Sequence, residues 1–146
     1  MSLDNLLGKT LDTKQPDKAG ISKLINAARR NIADAHISEV STENRFDAAY
    51  KAIMQCANAA LQANGYRTLT SVPGHHQTML QTLGMTVGVN NDVVIVLDAL
   101  RKQRNVADYS GDIVSESAMG ECIKYAELLL EKVLDWLKTN RPDLLQ

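Results

Sequence analysis

The stretch Arg101-Lys102-Gln103-Arg104-Asn105-Val106-Ala107-Asp108-Tyr109 carries the residues best suited to chemistry. Val93, Leu97 and Leu100 lead into it at helical steps, and the next step of four lands on Arg104, where the pattern asks for another Leu. A guanidinium is costly to desolvate unless a carboxylate, a phosphate or a set of acceptors pairs with it, and its fork fits phosphate well. The plainer reading is a snorkelling Arg104 paired with Asp98, Asp108 or a carbonyl at the helix end, where positive charge also complements the dipole. Arg101 and Lys102 add local positive charge beside it.

His75 and His76 follow Pro73-Gly74. Adjacent histidines on a helix diverge by roughly a hundred degrees, so they make no metal pair by themselves, and no metal site is expected. A neutral imidazole titrates near the working pH, so either can serve as a general base if the fold delivers it to Arg104; otherwise they form a solvated loop pair. His36 reads as structural. No GxSxG, no Cys with an adjacent base and no phosphate-cradling glycine loop occurs. Glu127 and Glu131 lack the Glu-x-x-His companions of a di-iron bundle and read as a solvated face.

Helices must position these groups. Ile21, Leu24, Ile25, Ala28, Ile32 and Ala35 line one face of a first helix over residues 20–37. Ser41 offers an N-cap for a second, with Phe46, Ala49, Tyr50, Ile53, Ala57, Ala60 and Leu61 as its stripe and Asn64-Gly65 as its close. A loop from Tyr66 to Gly74 precedes a short third helix edged by Met79, Leu80 and Leu83, and a second loop holds Gly84, Gly88 and Asn90-Asn91-Asp92. The β-branched run Val93–Leu97 reads as a fourth helix because it continues through Asp98, Ala99, Leu100 and Arg101 without a turn signal and has no evident partner strand. Ser110-Gly111-Asp112 breaks the chain, Ser115 caps a fifth helix, and the stripe from Ala118 to Leu137 ends before Asn140-Arg141-Pro142. The expected fold is all-α: an up-and-down bundle of four long helices plus one short one over residues 17–140, with a flexible N-terminal segment over 1–16 and a tail over 141–146.

Composition narrows the function classes. The 146 residues suit one domain, and sixteen Lys and Arg against seventeen Asp and Glu leave a formal charge of −1, so any nucleic-acid contact must be local. Cys56 and Cys122 fall at apolar helical positions and read as buried free thiols in a reducing, cytoplasmic setting. No apolar stretch suits membrane spanning, and the start of the chain does not look like an export signal. The apolar faces look generous for this size, Val94 and Ile95 lying beside the Val93, Leu97 and Leu100 stripe, which predicts a homodimer.

With Arg45-Phe46-Asp47-Ala48-Ala49-Tyr50-Lys51 in the second helix, its close Ala60 to Tyr66 and Gly74-His75-His76 opening the third, the chain resembles HEPN-domain proteins (higher eukaryotes and prokaryotes nucleotide-binding) over about residues 20–140. Leu100 through Tyr109 is similar to that family's Arg-Asn-x-x-x-His signature and closer to its Arg-Asn-x-x-x-Tyr branch. The resemblance implies a homodimer of bundles whose signature arginines face one cleft, no cofactor, and for many members metal-independent ribonuclease activity as toxins paired with a nucleotidyltransferase antitoxin. Carried across, Arg104 stabilises a scissile phosphate, Asn105 orients it and Tyr109 takes the place of the signature His, with Arg101, Lys102, His75 and His76 as further nucleotide or RNA contacts. A phenol titrates near ten. A dimeric nucleotide- or RNA-binding module is therefore the first expectation, a ribonuclease using Tyr109 or a loop His the second, and a helical protein-interaction domain the third.

Overall fold

The computed structural model describes residues 2–111 and 113–145. Its helices are α1 (Lys18–Ala35), α2 (Thr42–Ala63), α3 (His75–Gln81), α4 (Leu83–Thr86), α5 (Asn91–Ser110) and α6 (Glu116–Asn140). The four long ones are those the sequence announces, and the one expected short helix is two short pieces, α3 and α4, on the same stretch.

Caps explain the boundaries. Asp17, Ser41, Asn90 and Ser115 each accept a bond from a first-turn backbone N–H of the helix that follows. Gly111 ends α5 at φ 72°, a left-handed conformation that a side chain would strain. Asp112, the third residue of the expected break, lies outside the described residues. Arg45 near the start of α2 donates from Nε to the Ala35 carbonyl at 2.7 Å, satisfying a terminal acceptor of α1.

The middle of the bundle is α2. Its Ala-rich surface lets α1 and α6 pack closely along it, and buried residues occupy most of its circumference, from Phe46 and Ala49 to Ala60 and Ala63. Cys56 and Cys122 are free and fully buried, and burial pushes each thiol up to about 12. By contrast α5 leans on α3 and touches α2 and α6 lightly, and its fully buried side chains are Leu97 and Leu100. Ile95, Val106 and Tyr109 remain exposed on it, followed by Ile113.

Two expectations change. Leu11–Thr13 forms strand β1, antiparallel to strand β2 (Tyr66–Thr68), with Leu11 opposite Thr68. Leu11 is fully buried and the Tyr66 hydroxyl donates to Asp4, so part of the segment 1–16 expected to be loose is tied to the bundle, and the loop after α2 begins as a strand. At the other end Pro142–Leu144 makes a 3-10 turn that buries Leu144 against α1 and α6, where the sequence suggested a solvated tail. No helix among the described residues is long and apolar enough to cross a membrane.

Candidate functional site

Tyr50 lies on the α2 face turned toward α3 and α5, almost fully buried, and a buried phenol needs a polar partner. It finds one in His76, whose Nδ1 is 3.1 Å from the hydroxyl oxygen. The His75 ring meets His76 edge-on at 4.8 Å. From the other side Arg104, one step beyond Leu97 and Leu100, lays its guanidinium carbon 5.0 Å from the Tyr50 ring centre. Arg104, Tyr50 and His76 thus form a cation, ring, imidazole series contributed by α5, α2 and α3.

Electrostatics tune each member. Burial pushes the Tyr50 phenol up to about 12, against the pull of Arg104 and Arg101, so it stays protonated. Burial first, then His75, Arg104 and Arg101, hold His76 below the ordinary imidazole value, so it is neutral at pH 7. The Tyr50 oxygen can donate to Nδ1 or accept from it. In the second tautomer the Nε2 lone pair is left to take a proton.

Arg104 is 31% exposed, and its Nε lies 3.1 Å from Asp108 Oδ2. The approach makes an ion pair without hydrogen-bond geometry, leaving that buried N–H with no acceptor. Burial and the Asp108 charge raise Asp47 above the usual carboxylate range, partly offset by Arg104 and Lys51. Arg101 is engaged elsewhere: its Nε donates to Asp98 at 2.8 Å, with Lys102 Nζ at 3.4 Å from the second carboxylate oxygen. Although burial pushes Asp98 up, these two cations outweigh it and hold the carboxyl below its ordinary value. The snorkelling reading of the sequence holds in this respect, since Arg104 pairs with Asp108 and Arg101 takes Asp98.

The residues expected at the site are only partly brought together. Arg104 and His76 converge through Tyr50, His75 adjoins His76, and Asn105 follows on α5, partly buried. Lys102 is mostly in solvent. Tyr109 is 93% exposed, because residues five apart on a helix diverge by roughly 140°, and this protomer does not bring it to Arg104. Tyr50 and Asp47 were not anticipated; the signal for Tyr50 was a hydroxyl in a stripe otherwise made of Ala, Ile, Leu and Phe. His36 caps α1 with Nε2 3.4 Å from Glu127, a partner outside this cluster. Among the described residues no group of three or more His, Cys, Asp or Glu is placed to hold a metal ion.

No curated protein and no solved structure matches the chain. The model of the HEPN domain matches residues 21–136, from the first turn of α1 to the last turns of α6, including every residue of the Arg104 cluster. The chain belongs to the HEPN domain family.

Proposed function

We propose that this protein is a homodimeric nucleotide- or RNA-binding module in which Arg104 anchors a phosphate. HEPN domains are known generally as nucleotide-binding or ribonuclease-like. The observation that carries the reading is Arg104 itself: a partly exposed guanidinium stacked on Tyr50, whose buried Nε–H has no acceptor. A phosphate meets the exposed end of the guanidinium first, and a shift of the side chain away from Asp108 lets it accept from the buried Nε–H as well, in the bidentate geometry a guanidinium favours. The dimer reading draws on the outer face of α5, where Ile95, Ala99, Lys102, Val106 and Tyr109 recur at alternating steps of four and three. A second copy against this face covers the apolar side chains along one seam, while Arg104, roughly 180° round α5, keeps to the inner edge over Tyr50. Val106→Asp then yields a monomer by light scattering at micromolar concentration, where the unchanged chain is a dimer; a dimer in both removes the seam.

A second reading, a metal-independent ribonuclease, is favoured by the Tyr50–His76 pair. With Tyr50 accepting from Nδ1–H, Nε2 of neutral His76 can take the proton of a ribose 2′-hydroxyl as its oxygen bonds to the adjacent phosphorus. The bond to the 5′-oxygen breaks, a 2′,3′-cyclic phosphate forms, the leaving oxygen takes a proton from the imidazolium or water, and Arg104 stabilises negative charge on the phosphoryl oxygens. In that case the protein fits the toxin half of a pair with a nucleotidyltransferase antitoxin. Incubation with total RNA in EDTA separates the readings. Binding without cleavage, weakened in Arg104→Ala, is the outcome expected of the module; cleavage that vanishes in both Arg104→Ala and His76→Gln makes it the enzyme. RNA and nucleotide affinities unchanged by Arg104→Ala would remove Arg104 as the anchor, and no binding of either by the unchanged chain would leave only a protein-interaction domain.

A further inference from the structure

On the far side of α3's first turn a cleft of about 500 Å³ opens between α2, α3 and the β2 strand, and His76 belongs both to it and to the Arg104 series. Its lining is unusually mixed. Lys14, just beyond β1, pairs with no carboxylate among the described residues, and Arg67 on β2 shares its charge with Asp12 at 3.0 Å. Asn58 and Gln62, one turn apart on α2, bond to each other at 3.1 Å and still hold an amide NH2 and an amide oxygen for other partners. Met54 and Met79 add polarisable apolar surface, and His75 adds a ring.

We infer that this cleft is a pocket for a nucleoside monophosphate, free or as one residue of an RNA strand. The volume lies within the range of small-molecule sites. The phosphate and the base of such a ligand each have a counterpart. Lys14 and Arg67 suit the phosphate, and an imidazole with two thioethers offers a surface for a planar base. The Asn58 and Gln62 amides present the donor and acceptor groups that read a base edge. Inorganic phosphate alone leaves the amides and methionines without a role, and an acidic peptide leaves the ring without one. His76 is common to the cleft and the Arg104 series, with Tyr50 between His76 and Arg104, so a strand with one residue in the cleft continues past His76. The inference rests on the reading of the protein as nucleotide-binding and not on the role of Arg104.

The chain has five methionines, so methyl resonances of selectively labelled protein report on the cleft with internal controls. Titration with each nucleoside 5′-monophosphate, or with an RNA trinucleotide, is expected to shift Met54 and Met79 saturably while Met119, buried on α6, stays still. A response to the mononucleotide assigns a free ligand; a response to the trinucleotide alone assigns a strand. In Lys14→Gln/Arg67→Gln, with Arg67 exposed, Lys14 half-buried and the fold checked by circular dichroism, affinity falls by about tenfold or more. Silent Met54 and Met79 with both probes, or an equal affinity for inorganic phosphate, overturns the inference. The two sites also fail separately. RNA binding lost in Arg104→Ala and intact in the double variant with silent methyls sinks the cleft alone; methyl shifts that persist when Arg104→Ala has no effect sink the Arg104 anchor alone.

Discussion

Helices α2 and α5 are nearly equal in length, at 22 and 20 residues, yet α2 hides most of its circumference and α5 fully buries little more than Leu97 and Leu100. The difference divides labour within one bundle. Small side chains on α2 let its neighbours approach from several sides, which fixes Tyr50 and gives the site a rigid back wall. With fewer tertiary contacts, α5 is free to carry cations at its inner edge and apolar groups on its outer face, features that a core helix would exclude.

The largest effect that can break this comparison is on stability. Ile53→Ala, at a fully buried position of α2, is expected to lower unfolding free energy by about 2–5 kcal/mol in urea titrations, whereas Ile95→Ala on α5, measured on the monomeric chain, changes it by about 0.5 kcal/mol or less. Similar losses at both positions would mean that α5 is as much a core element as α2.

Next is the carboxylate beside Arg104. Asp108 is the ion-pair partner an incoming phosphate must replace, so Asp108→Asn is expected to tighten RNA binding by about tenfold, the change that follows from removing a competing charge of about 1.4 kcal/mol. Fluorescence anisotropy with a short labelled RNA checks it, and weaker binding would make Asp108 a contact rather than a competitor.

The smallest effect concerns pH. Burial holds the folded His76 below its unfolded value near 6.5, so the unfolded chain binds a proton that the folded chain refuses. This contribution to stability is fully present above pH 6.5 and is lost as pH falls from there through the lower folded value. Urea midpoints at about pH 7.5 and pH 5.5 should therefore differ less in His76→Gln than in the unchanged chain. Imidazole proton shifts should place the His76 midpoint below the ordinary value, and Arg104→Ala should raise it.

Much of the bundle was legible because helix signals are local. Ser41, Ser115 and Gly111 mark ends through their own side chains or backbone freedom, and the periodic stripes name the buried faces. Strands of three residues such as Leu11–Thr13 are too short to show an alternation, and their pairing joins positions more than fifty residues apart, which no local pattern reports. Leu144 likewise looked like part of a polar tail until the turn after Pro142 folded it back. At the site, Arg104 stood out because a charge interrupted a stripe. Tyr50 did not, since a phenol passes for a core aromatic until its hydroxyl partner on another helix is known. Tyr109 drew notice through its place in a motif, but the helical turn points it into solvent.

The role of Arg104 as a phosphate anchor is tested most directly by the salt dependence of RNA affinity. A phosphate contact releases counterions, so the slope of log affinity against log salt should become shallower by roughly 0.7 per binding site in Arg104→Ala, with affinity also falling at every salt concentration. An unchanged slope, whatever the affinity, would contradict the account.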